Sequence, residues 1–149
     1  MSEAVQVLHG DGSDLMGRYD GRSDRELLSG ISNGVRARDG LIVDEWIQVV
    51  AWADRNVTTS PEQAAAIIEG IIDTGVPIAG PGAPLVSEFN LMELIAVLDR
   101  SPDGGRAYVG RVIECAWRLP HVYAAVVEGR LAPWRAERIA DLTHGLNRE

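Results

Sequence analysis

The residues best equipped for chemistry are arginines. Seven fall between Arg100 and Arg138, against Asp103, Glu114, Glu128 and Glu137, so this stretch is locally basic in a chain of formal charge −8. A guanidinium is planar, permanently charged and forked, which suits it to the paired oxygens of a phosphate. The chemistry implied is therefore electrostatic recognition of a nucleic-acid backbone. The rest of the chain is anionic: 13 acids stand against 6 arginines through residue 75, and there is no lysine. Salt limits the reach of a distant acidic half to roughly 8 Å, so a local basic face can still meet a polyanion.

Covalent and metal chemistry find little support. His9, His121 and His144 lie far apart, and none has a His, Cys or carboxylate at metal-ligand spacing. No nucleophile elbow is present. Cys115, between Ile113 and Trp117, reads as a small buried hydrophobe. "DGSDLMGRYDG" has the wrong carboxylate spacing for a calcium loop. The Gly80-Pro81-Gly82 pair lacks the third glycine of a dinucleotide loop, and Pro84 interrupts any helix start. No catalytic residue, metal or cofactor is assigned to the chain, so for this chain alone it is not read as an enzyme.

These arginines need elements to hold them. Residues 1–23 mix Gly, Asp and Ser without periodicity and are expected to be a flexible N-terminal segment. From residue 24 to 149 a single α-helical domain is expected, with a Pro/Gly connector at 77–88. Ser23 or Asp24, with Glu26 close behind, caps a long helix whose apolar residues recur from Leu27 to Val57. Gly30 and Gly34 lie four apart, where a partner helix can approach closely; a kink near Gly40 is the competing reading. Ser60, Pro61, Gln63 and Gly75 punctuate a second helix with Ile67, Ile68, Ile71 and Ile72 on one face. Four short helices follow, over 89–98, from Ser101-Pro102 to about Arg118, from Pro120 to Gly129 and from Pro133 to Gly145. The fold class is all-α: a long N-terminal helix plus a compact bundle of short helices containing helix-turn-helix-like hairpins.

In the first hairpin, "ELIAVLDRSPDGGRAYVGRVIE", Leu94, Leu98 and Tyr108 fall where core contacts belong, and Asp99 takes the turn in place of Gly. Gly104 and Gly105 leave the start of the presumed reading helix bare, so Arg106 and Arg111 are its phosphate or guanine contacts, with Arg100 beside the turn. An ordinary packed helical hairpin is the alternative. The second hairpin turns between Gly129 and Pro133 and clusters Arg130, Arg135 and Arg138 beside Trp134. Arg135 and Arg138 share a helix face and suit phosphates, but they also fit as surface partners of Glu137 and Asp141.

With 149 residues and 46% hydrophobic content the chain has a domain's length and can build a core. No apolar run approaches the roughly 18 residues of a membrane span. Trp46, Trp52, Trp117 and Trp134 all sit in apolar segments and are expected to fill the core. One cysteine forms no internal disulfide and no export signal is seen, so the cytoplasm is the expected compartment.

The segments "GPGAPLVSEF", "ELIAVLDRSP", "RLP" at 118–120 and "EGRLAPWRAERIAD" together resemble the actinobacterial domain-of-unknown-function family 222, the mycobacterial thirteen-E-twelve repeat family. The likeness covers about residues 77 to 145; Asp99 stands where the family's turn commonly has Gly. The resemblance implies an α-helical module associated with HNH endonucleases, often of prophages or mobile elements, with presumed binding to double-stranded DNA. The His-Asn-His nuclease motif of such proteins is absent from these residues. The expected function is a non-catalytic, DNA-associated targeting module with weak, salt-dependent binding. The alternative is a protein-interaction or oligomerisation module, including a homodimer through the long N-terminal helix.

Overall fold

The computed structural model describes residues 17–58, 66–68, 71–72 and 75–146. Most of the expected flexible N-terminal segment, and the predicted cap Ser60, Pro61 and Gln63, lie outside the described residues. Among the described residues the architecture is all-α, built on five α-helices. Helix α1 spans Asp24–Arg55, α2 Glu88–Val97, α3 Pro102–Ile113, α4 Pro120–Val127 and α5 Pro133–Thr143, with a π-helical segment at Glu114–Arg118. Contacts divide the chain into two compact units, residues 1–38 and 39–149. Among the described residues no helix is long and apolar enough to cross a membrane.

A capping box starts α1. The Glu26 carboxylate accepts from the Ser23 backbone N–H and hydroxyl, both at 2.8 Å, while Glu26 N–H donates back to Ser23 Oγ. Those bonds, the backbone one foremost, hold the Glu26 carboxyl below its ordinary range. The helix then runs unbroken through Gly30, Gly34 and Gly40, so the alternative kink does not form. Each glycine costs about 1 kcal/mol against alanine. The second half offsets this by burying Trp46, Val49 and Ala53. In the first unit no described residue is buried; Leu28, Ile31 and Val35 are 66%, 64% and 40% exposed.

In the second unit the core joins those three residues to Leu91 and Ile95 of α2, Val109, Val112 and Ile113 of α3, Val126 of α4, and Ala136 and Ala140 of α5. Ile78 and Val86 bring the connector into it. Val86 exchanges both backbone hydrogen bonds with Val76, at 2.8 and 3.2 Å, and also bridges to Val57.

The helix expected over 61–73 is not formed by its described residues. Strands β1 (Ala66–Ile68) and β2 (Ile71–Ile72) pair antiparallel there, Ala66 opposite Ile72 and Ile68 opposite Ile71. The reason is legible in the residues: two β-branched isoleucine pairs are separated only by Glu69 and Gly70, which is hairpin spacing.

Both helical corners use the same device. At the end of α2, Asp99 adopts φ +52°; its N–H donates to Ala96 O at 3.1 Å, and the next N–H, of Arg100, to Ile95 O at 3.4 Å. At the end of α4, Gly129 adopts φ +71°, with N–H donors from Gly129 to Val126 O at 3.0 Å and from Arg130 to Ala125 O at 2.8 Å. This is the Schellman pattern, and it places an arginine just past each stop. Ser101 and Pro102 then open α3, Ser101 Oγ accepting from Gly104 N–H at 3.1 Å, and Pro133 opens α5. Gly105 is buried at the α2–α3 crossing, where a Cβ would overlap the Ile95 side chain.

Candidate interaction surface

The nominated arginines fall into two groups. Three are paired with carboxylates of the same chain. Arg106 reaches Glu88 at 3.6 Å, Arg111 reaches Asp141 at 2.7 Å and Glu137 at 4.0 Å, and Arg130 bonds Glu128 at 2.6 Å. The other three have no ion pair among the described residues. Of these, Arg100 lies 3.8 Å above the Tyr108 ring, within cation–π range. Arg135 sits 5.2 Å from the Trp134 ring, and Arg138 is exposed on α5. Glu137 and Asp141, candidate partners for Arg135 and Arg138, instead tie Arg111 of α3 to α5.

Tyr108 belongs to a small polar chain. Its hydroxyl donates to Glu45 of α1, beneath Arg100. Burial, then the bond to Glu45, pushes the phenol well above its ordinary pKa. Burial likewise raises the Glu137 carboxyl, a shift that Arg111 opposes. Arg106 and Arg111 line one cleft of about 390 Å3, but Asp103 and Asp141 line it too, together with His144, so its charge is mixed.

A second depression, of about 540 Å3, lies between α1 and α2. Leu41, Val49 and Trp52 of α1 face Leu94, Val97 and Leu98 of α2, and Asp44 and Glu45 line it alongside. Leu41 is 71% exposed and Val97 78%. An apolar trough with acids along it admits an amphipathic helix.

Trp134 corrects the expectation that every tryptophan fills the core: it is 57% exposed. It stands one position after Pro133, in the first turn of α5, while the inward face of that helix is made by Pro133, Ala136 and Ala140. Trp46 is fully buried, and Trp52 and Trp117 are half-buried. Cys115 is buried as expected, its thiol donating to Ala136 O at 3.7 Å.

Sequence reasoning missed the buried cluster on the π-helical segment. Glu114 is 0% exposed; one carboxylate oxygen accepts from Gly80 N–H at 2.8 Å, and the other from Arg118 and from Thr143 Oγ1 at 3.1 Å. Arg118 also donates to the carbonyls of Thr143, at 3.2 Å, and Leu146. The signal was the Glu-to-Arg spacing of four residues inside the apolar run "ECAWRLP". The cluster fastens the connector, the π-segment and the end of α5 to one another. Among the described residues no three His, Cys, Asp or Glu side chains gather as a metal site. Compared with protein-family models, curated proteins and solved structures, the chain matches none.

Proposed function

We propose that the chain is a non-catalytic helical docking module that takes a protein partner in the groove between α1 and α2. The observation carrying this reading is a contrast of two surfaces. Half of the nominated arginines are already matched by internal carboxylates, whereas the groove leaves Leu41 and Val97 in solvent with Asp44 and Glu45 beside them. Burying an apolar side chain gains roughly 25 cal/mol per Å2, a gain these two residues do not draw from the fold. The partner fitting this chemistry is an amphipathic helix with apolar residues at helical spacing and basic residues on its flank. The resemblance to family 222 supports a role beside a nuclease, where such docking would recruit or position another component.

Double-stranded DNA is the second reading. It is favoured by Arg135 and Arg138 on exposed α5, with Trp134 available to stack. One anisotropy titration separates the two, using a labelled leucine/lysine amphipathic peptide and a labelled DNA duplex. The docking reading expects the peptide to bind, and Val97→Glu to weaken it at least about tenfold even though the variant adds negative charge. Unchanged peptide affinity in that variant would refute it. Duplex retention that is lost in Arg135→Glu/Arg138→Glu, with a slope of about −0.9 in log K against log salt per phosphate contact, would favour DNA.

A further inference from the structure

The first half of α1 has a surface that complements itself. Within residues 24–38, Asp24, Leu27, Leu28, Ile31, Gly34, Val35 and Arg38 recur at three- and four-residue steps and so occupy one face. None of these residues is buried, and Leu28 and Ile31 are about two-thirds exposed. A Cβ on Gly34 would meet nothing within 4 Å, so the backbone is open to close approach at that point.

We infer that this face pairs antiparallel with the same face of a second copy, about a two-fold axis at Ile31. Turned about that point, Leu27 lies opposite Val35, Leu28 opposite Gly34, Ile31 opposite Ile31, and Asp24 opposite Arg38. Leucine faces valine or glycine on either side of the central isoleucine pair, and unlike charges close both ends. A parallel pair sets Asp24 against Asp24 and Arg38 against Arg38, so charge selects the antiparallel arrangement. The contact is isologous, which closes at two copies and builds no filament. A receiving space exists beside it: Leu27 and Ile31 form one wall of a hollow of about 620 Å3 whose other side includes Tyr19 and Arg22. Val35 of the second copy enters that hollow. Pairing also accounts for the regular apolar spacing of a helical stretch in which no described residue is buried. The pairing uses residues of the first unit, from Arg18 to Arg38, whereas the groove is lined by residues of the second, 39–149.

Sedimentation equilibrium of the full chain, with symmetric cysteine cross-linking, tests the inference. The wild type is expected to dimerise with rising concentration, and Ile31→Glu to weaken the dimer at least about tenfold with unchanged helix content. Ile31→Cys should oxidise to a disulfide-linked dimer, while Ser29→Cys, on the opposite face, should not. Asp24→Arg should weaken the dimer, and adding Arg38→Asp should restore it. Val97→Glu, in the groove, should leave the dimer intact whatever becomes of peptide docking. A chain that stays monomeric at high concentration, equal cross-linking at both cysteine positions, or failure of the charge swap to restore pairing would overturn it.

Discussion

Removing the Arg118 guanidinium should cost the fold far more than removing an exposed arginine. Glu114 is wholly buried and Arg118 is 9% exposed. Without the guanidinium, the Glu114 carboxylate keeps only Gly80 N–H and Thr143 Oγ1 as donors, both neutral. The carbonyls of Thr143 and Leu146 lose a charged donor at the same time. Stranding one member of a buried ion pair costs about 3–5 kcal/mol, against a total stability on the order of 5–15 kcal/mol. With a urea dependence of roughly 1–3 kcal/mol per molar, the midpoint of Arg118→Ala should fall by about 1–5 M. The internal control is Arg111→Ala, whose pair with Asp141 has side chains 31% and 50% exposed. Solvent screening holds such a pair to under about 1 kcal/mol. Far-UV circular dichroism in urea reads both variants. A double-mutant cycle with Glu114→Gln should give a coupling above about 1 kcal/mol. If Arg118→Ala unfolds within 1 kcal/mol of the wild type (roughly the error of the comparison), or no more easily than Arg111→Ala, the clasp contributes no special stability and this reasoning fails.

Two further perturbations probe the packing. Gly105→Ala places a methyl group into the Ile95 side chain at the α2–α3 crossing, and should destabilise by about 1–3 kcal/mol despite alanine's better helix propensity; equal or greater thermal stability would contradict the close approach. The Cys115 thiol is pushed up to about 12, first by burial and then by Glu114 and Glu137. An unfolded cysteine releases its proton near about 8.5. The folded state therefore keeps its full advantage below that pH and loses it progressively as pH rises toward the folded value. Stability measured from pH 8 to 10 should decline less in Cys115→Ala than in the wild type, and thiol reagents at pH 8 should label Cys115 only on unfolding; labelling of the native protein would refute the burial.

The readable parts of this sequence were those with local causes. Ser23 with Glu26, Ser101 with Pro102, and the positive-φ stop at Asp99 each act within a few residues, and each element appears where its signal stands. The helix expected over 61–73 failed because its described residues follow strand pairing, and an isoleucine-rich apolar run satisfies both periodicities. The π-helical segment was invisible for another reason. It follows from Pro120 ending the helical hydrogen-bond ladder while Leu119 N–H is shared between Glu114 O and Cys115 O, both at 3.2 Å.

The candidate surface was less legible because charge is assigned locally in sequence and compensated at long range in space. Counting residues 100 to 138 gives a basic stretch, but Asp141, which pairs with Arg111, stands 30 residues from it, and Glu88, which pairs with Arg106, lies before the stretch begins. The Arg118 charge is spent on buried Glu114. What reaches solvent as uncompensated cation in this region is therefore concentrated at Arg135 and Arg138, with Arg100 drawn onto Tyr108. An apolar groove escapes a charge count altogether, since Leu41 and Val97 belong to regular helical patterns and become conspicuous only when the fold leaves them uncovered. Under the proposed docking, specificity would rest on which groups the fold leaves in solvent, and not on the composition of the segment that carries them.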